Sequence, residues 1–315
     1  LPVGVLMDRW GPRRLLTLAC AVSVLGMWCF AATDLVSLAS AGRFLTGFGS
    51  AFAFVGVLKL ATIWLPEDRL ALVAGLATAL GTLGAMLGDN LLGAMVNQMG
   101  WKSAVNLTAL FGVGLLVVIW VGIHDKQQSL ETDGGTVNSF GKIWFDLKLI
   151  LQNKQIWING AYGCLVYLPT TVFAELWGIP YLVHAYGLDL SAAEFSNSII
   201  FMGCMVGAPF WGYLSDRIKQ RKLPMRIGAF SAGILMMVIL YWPGLDKYYL
   251  YFLMFVLGFF YSAQAIVFAV GRELSPKEAG GTAIAMTNMC VMLGAIFLQP
   301  LVGRILDWCV QVRHH

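Results

Sequence analysis

Apolar residues run through this chain in blocks of membrane-spanning length, separated by short polar stretches. The blocks lie at about 15–33, 36–64, 70–96, 104–123, 156–183, 195–215, 227–243, 249–271 and 279–301, and residues 1–7 read as the tail of one more. A helix needs about 20 such residues to cross a bilayer. Buried helices of soluble proteins are rarely this long and this uniformly apolar, so the pattern predicts an all-α, multi-pass membrane protein.

The polar stretches carry a second pattern. "GVLMDRWGPRR" (Gly4 to Arg14) returns as "GYLSDRIKQRK" (Gly212 to Lys222), with Asp216 standing 208 positions after Asp8. Gly47-Phe48 in "TGFGSA" matches Gly258-Phe259 in "LGFFYSA", 211 residues on, and Pro66 matches Pro276, 210 on. Three anchors at nearly one offset mark an internal duplication. Six apolar blocks separate the two charged loops, so both return to the same membrane surface.

The seam lies in 124–155, the only long polar stretch, and divides the chain into a bundle at 1–123, a linker and a bundle at 156–315. The first half of the seam is rich in Gly, Ser, Thr and Asp and reads as a flexible linker. Its second half puts Phe140, Ile143, Trp144, Leu147 and Leu151 on one helical face, away from Lys142, Asp146 and Lys148. That suits a short helix on the cytoplasmic membrane surface, or simply the start of the next span.

Composition agrees with the pattern: 58% of residues are hydrophobic and 12% charged, against roughly 25% charged in soluble domains. The net charge of +4 is a topology signal. Of the 21 Lys and Arg, 15 fall in loops on the side of the two Asp-bearing motifs. Four fall on the other side or after the last span (Lys102, Lys247, Arg304 and Arg313), and Arg43 and Lys59 lie within spans. Positive loops stay in the cytoplasm, so both motifs are expected there, and no nucleic-acid partner is implied. The six cysteines are scattered without a CxxC pair, which argues against metal or disulfide chemistry. The chain opens in mid-helix, so a fragment is expected.

Gly4-x-x-x-Asp8-Arg9-x-Gly11-x-Arg13 resembles the signature loop between the second and third helices of the major facilitator superfamily. Gly212-x-x-x-Asp216-Arg217 sits where that family repeats it, and "GRFLTGFGSA", with Arg43, Gly47, Gly49 and Ala51, resembles its fourth-helix motif. The resemblance implies two pseudo-symmetric six-helix bundles, with helix 1, most of helix 2 and helix 12 missing from this sequence. It implies a monomeric secondary transporter of the bacterial inner membrane that moves a small organic solute by alternating access and uses no cofactor. Pro12 stands where the family usually has a basic residue, and the second copy lacks the glycine matching Gly11. In the family the fifth and eighth helices meet, so Gly84 and Gly88 and, on the other helix, Gly203 and Gly207 are expected to pack backbone to backbone. The fifth-helix glycines also lack the Gly-Pro pair of drug–proton antiporters, which lowers an efflux reading.

Ionisable residues inside a membrane are costly and usually functional. Arg43, Lys59, Asp89 and Glu175 are the candidates here. Lys59 can snorkel to the surface. Arg43 either pairs with Asp89 within its half or meets substrate; the repeat places Met254 at its position, so the charge belongs to the first half alone. Asn90 follows Asp89. Glu175 precedes Gly178 and Pro180, which are expected to break the helix, and interrupted helices build transporter sites. Tyr162, Tyr167, Tyr261, Gln264 and Asn288 are polar residues in spans that either line a cavity or bond between helices.

Proton-coupled uptake is expected, with Glu175 as carrier and Asp89 as the partner of Arg43. Amino acids, nucleosides, sugars and carboxylates remain open as substrate classes. A sugar-phosphate antiporter is disfavoured because the seventh helix offers no arginine. The rival function is a non-transporting membrane sensor of the same fold. No span pairs a nucleophile with a base, and His124, His184, His314 and His315 form no cluster, so an enzyme is not expected.

Overall fold

A computed structural model describes residues 3, 6–7, 10–33, 35–66, 69–123, 147–242, 244–276 and 279–313, and the side chains of all of these except 85, 89, 90, 93, 306, 307 and 309–313. Gly4, Asp8 and Arg9 of the first motif, and the linker to residue 146 with Phe140, Ile143 and Trp144, lie outside the described residues.

The described chain is helical, with no strand among its described residues. Its elements are α1 (Pro12–Ala31), α2 (Val36–Trp64), α3 (Leu70–Met99), α4 (Trp101–Gly122), α5 (Lys154–Val166), a π-wound segment (Pro169–Trp177), α6 (Gly178–Tyr186), α7 (Leu190–Ile218), α8 (Lys222–Tyr241), α9 (Lys247–Tyr261), a 3-10 turn (Ser262–Ala265), α10 (Ile266–Glu273) and α11 (Gly280–Arg313). Eight described stretches are long and apolar enough to cross a membrane, α9 to α10 counting as one. The run from α5 through the π segment to α6 is the ninth expected block, joined by one non-α stretch.

Local sequence explains the ends. Gly11 (φ 80°) precedes α1, and Pro12 occupies its first turn. A left-handed residue is easy for glycine, and proline lacks an N–H that the first turn could not use anyway. The unusual Pro12 therefore starts a helix. Residues 147–152 are helical but stop at Asn153, whose Oδ1 accepts from Gln155 N–H to cap α5. That short helix is thus a separate element from the span that follows.

The chain forms two compact units: Leu1–Pro66, Ala85–Gln152 and Ser275–Ala285 in one, and Glu67–Gly84, Asn153–Leu274 and Met286–His315 in the other. In the first unit α1 packs on α2 at backbone range. A Cβ on Gly26 would stand 2.6 Å from Gly42 O, and one on Gly49 would stand 2.4 Å from Ala19 O. Leu16 and Met7 fill the notch at Gly56. Much of α4 presents apolar side chains outward, Phe111 (70% exposed) and Val118 (65%) among them; lipid is the solvent that such a face requires.

In the second unit α7 is the central helix. Gly203 and Gly207 meet Phe255 and Phe259 of α9, while Gly258 meets Ile200 O, with virtual Cβ distances of 2.0–2.4 Å. The first turns of α3 lie against the other side of α7: a Cβ on Gly75 would stand 2.1 Å from Ala208 O, and one on Gly212 would stand 2.3 Å from Ala71 O. Small residues allow this approach, and dispersion then holds helices that lipid does not drive together. Here the structure corrects the expected seam. Gly203 and Gly207 serve α9, and among the described residues nothing lies within 4 Å of a Cβ on Gly84 or Gly88. The backbone-range part of the α3–α7 contact is made instead by Ala71, Gly75, Ala208 and Gly212.

Candidate functional site

The second charged loop is a closed network at one end of the second unit. Asp216 lies in the last turn of α7, just before Lys219 takes the left-handed conformation (φ 52°) and turns the chain toward α8. Its Oδ2 accepts from Leu72 N–H at 2.7 Å. Leu72 is the third residue of α3, so a carboxylate from α7 caps the positive end of a helix from the other sequence repeat.

Its Oδ1 accepts from Arg221 Nη1–H. Arg221 also donates to Ser215 Oγ at 3.0 Å, and its Nε and Nη2 donate to Glu273 Oε1 at 3.0 and 2.7 Å. Burial pulls the Arg221 guanidinium down, but hydrogen bonds and charge from Glu273 and Asp216 outweigh it and hold the group above its ordinary value. The Asp216 side chain is 8% exposed. Arg217 stands aside, exposed, with Nη1 directed at Tyr213 Oη at 3.5 Å.

Arg221 falls 208 positions after Arg13, so it is that residue's repeat. In the first unit Arg13 donates through Nε and Nη2 to Trp120 O at 3.0 and 2.8 Å and lies 4.4 Å from the Trp120 ring centre. One arginine therefore supports a carbonyl at the end of α4, and its copy holds two carboxylates.

The candidates inside the spans separate into different environments. Arg43 is exposed on α2, its guanidinium 4.4 Å from the Phe30 ring centre. Asp89 and Asn90 lie on α3, with side chains outside the description. Lys59 is half-buried. Tyr162 donates to Met225 O at 2.6 Å, which ties α5 to α8 and occupies its hydroxyl. Gln264 is buried in the 3-10 turn, and Asn288 is half-buried on α11.

Tyr261 is fully enclosed, 6.4 Å from Tyr167 between ring centres and packed in one buried cluster with the Cys204 thiol. Thr82 Oγ1 lies 4.0 Å from that sulfur. Tyr167, Tyr261, Cys204 and Thr82 thus form one polar cluster from four segments. Sequence reading noted the two tyrosines but missed Thr82 and took Cys204 as inert packing.

Glu175 is exposed, and the expected helix break beside it does not occur. Helical winding continues to Tyr186, and the stretch before Gly178 is a π-helix. Two prolines bracket it, each lacking the N–H that an α-turn would use. The chain widens its winding there and stays helical. Nearby, an apolar cavity of about 1200 Å³ is lined by residues including Phe173, Trp177, Tyr181, Met236, Leu240 and Leu298. Among the described residues its wall holds no Asp, Glu, Lys or Arg and is apolar apart from His184 and the two tyrosines, so it suits a polar solute poorly.

Comparison with known proteins fixes the class. The profile of the Major Facilitator Superfamily matches residues 1–299, and the chain belongs to that family; it is a multi-pass integral membrane protein. It is 23% identical over 332 residues to a "Probable hexose phosphate transport protein" of Chlamydia pneumoniae, covering 96% of this chain and 72% of the relative. It is 25% identical over 344 residues to the "Probable galactarate/D-glucarate transporter GudP" of Bacillus subtilis (98% and 74%). It is 26% identical over 289 residues to the "Membrane sensor protein UhpC" of Salmonella typhimurium (85% and 62%). The crystal structure of the superfamily transporter FucP in the outward conformation aligns with TM-score 0.70 at 16% identity, covering 98% of this chain and 79% of that one. That match establishes the shared fold.

Proposed function

We propose that the protein is a secondary transporter of the bacterial inner membrane that moves a small polar organic anion, a carboxylate or a phosphate ester, by alternating access with proton-coupled uptake. The observation that carries the mechanism is the Asp216 cap on α3. It joins a helix of the first repeat to one of the second through a few reversible polar contacts. Such contacts are strong enough to favour one arrangement and weak enough to be broken each cycle. By the distribution of positive loops this latch lies at the cytoplasmic surface.

The anion class draws on relatives named for hexose phosphate and for galactarate or D-glucarate. These relatives support a sugar phosphate as solute as well as a sugar carboxylate, although the stretch from Lys154 to Tyr186 contains no arginine. In this reading Arg43 meets the solute, and Asp89 with Asn90 lies along the same route. Glu175 carries the proton.

A second reading, a sensor that binds solute without moving it, is favoured by the relative of that name. Counterflow separates the two. Purified protein in liposomes loaded with unlabelled hexose 6-phosphate or D-glucarate is diluted into the labelled solute. Label entering above the protein-free level supports transport. Saturable binding without entry of label supports the sensor.

A further inference from the structure

The stretch Pro169–Trp177 fits one more residue between its ends than α winding would, and such insertions are rare in helices. Both flanks are tethered. On one side Asn159 Nδ2 donates to Val267 O at 2.9 Å and Tyr162 Oη to Met225 O at 2.6 Å; on the other, Tyr181 Oη donates to Leu240 O at 2.6 Å and Tyr186 Oη to Ile239 O at 2.8 Å. With the ends fixed, the extra residue cannot leave. It can only move along the segment, and each residue it passes turns by about 100° around the helix axis.

One side chain stops it beside Ala174. Asn197 of α7 donates from Nδ2 to Ala174 O at 2.8 Å and is 7% exposed. Gly178 makes the approach possible, because a Cβ there would stand 2.9 Å from Asn197 Oδ1 and 2.8 Å from Phe173 O. The carbonyl that Asn197 holds belongs to the residue immediately before Glu175.

We infer that Asn197 is a positioning residue: it pins the π register at Ala174 and so sets the direction in which Glu175 points. The register claim stands on this geometry alone, and its consequence for transport rests on the reading of Glu175 as proton carrier.

The two parts are tested separately. Spin labels at Leu176 and Tyr249, both exposed, report the register by pulsed electron resonance on the whole protein in lipid. A side-chain tip about 5–6 Å from the axis moves by roughly 8 Å when it turns 100°. Asn197→Leu, which keeps the volume and removes the donor, should shift or split the distance distribution by several ångströms. Gly178→Ala should do the same by displacing Asn197, and it serves where the leucine variant does not accumulate in membranes. Distributions matching the parent in both variants overturn the pin.

The transport readout is the ratio of pH-gradient-driven accumulation to counterflow. A loss of fold lowers both together and leaves the ratio alone. A misdirected Glu175 lowers accumulation about tenfold at near-normal counterflow, the scale of one lost buried hydrogen bond. A shifted distance with an unchanged ratio keeps the pin and removes Glu175 as carrier.

Discussion

Replacing Asp216 with Asn keeps the shape of the side chain and removes its charge. The Leu72 N–H then meets a neutral acceptor, and Arg221 keeps only Glu273 as its ionic partner. A charge at a partly buried helix N-terminus contributes up to about 2 kcal/mol, and a hydrogen bond to a charged group about 1.5–3 kcal/mol. The retained amide oxygen recovers part of this, so the latched arrangement should lose about 2 kcal/mol, roughly a 30-fold shift in its population. Leu70, 6% exposed at the start of α3, reports the latch. A single cysteine there, smaller than the leucine it replaces, should react with an impermeant thiol reagent on the cytoplasmic side about 10- to 30-fold faster in Asp216→Asn than in the parent. Solute affinity should stay within a few-fold, because the network contains no in-span candidate. Labelling within twofold of the parent would refute the reasoning.

Further expectations follow from single contacts. Arg221 is held above its ordinary value, so its contribution is complete below that value and is lost only as pH rises on through the raised one; once thiolate formation is divided out with an exposed control cysteine, the Leu70→Cys labelling rate should therefore stay flat between about pH 7 and 9, and a steep rise in the corrected rate would contradict the pairing. Gly258→Ala drives a Cβ into Ile200 O and should destabilise the detergent-solubilised protein by about 1–3 kcal/mol in thermal unfolding, whereas Gly84→Ala meets open space and should leave the transition unchanged. Tyr162→Phe removes only the bond to Met225 O: about 1 kcal/mol of stability should be lost while counterflow persists, and abolished counterflow in a folded variant would move Tyr162 into the solute site.

Much of the fold was legible because hydrophobic length is a strong signal; α2 fills its expected block, and most other spans match theirs within a few residues. Repeat arithmetic carried further than it was taken. Applied to Arg13, the offset of 208 points to Arg221, which the reading from Asp216 to its immediate neighbour Arg217 passed over. Glycine spacing gave a smooth face on α7 but not its neighbour, because periodicity says nothing of which helix fills a groove. The prolines at 169 and 180 marked a real disturbance, but sequence alone does not distinguish a break from a change of winding. Asn197 carries no signal at all: one buried amide among apolar residues becomes meaningful only when the carbonyl it meets is known.

The central claim is tested most directly by comparing Glu175→Gln with the parent in the same liposomes, measuring accumulation of labelled hexose 6-phosphate or D-glucarate under an inward proton gradient beside counterflow without one. The glutamine mimics the protonated carrier, so the variant should exchange solute at near-parental rates and fail to accumulate it. Accumulation equal to the parent's would show that Glu175 carries no proton and would contradict the coupling proposed here.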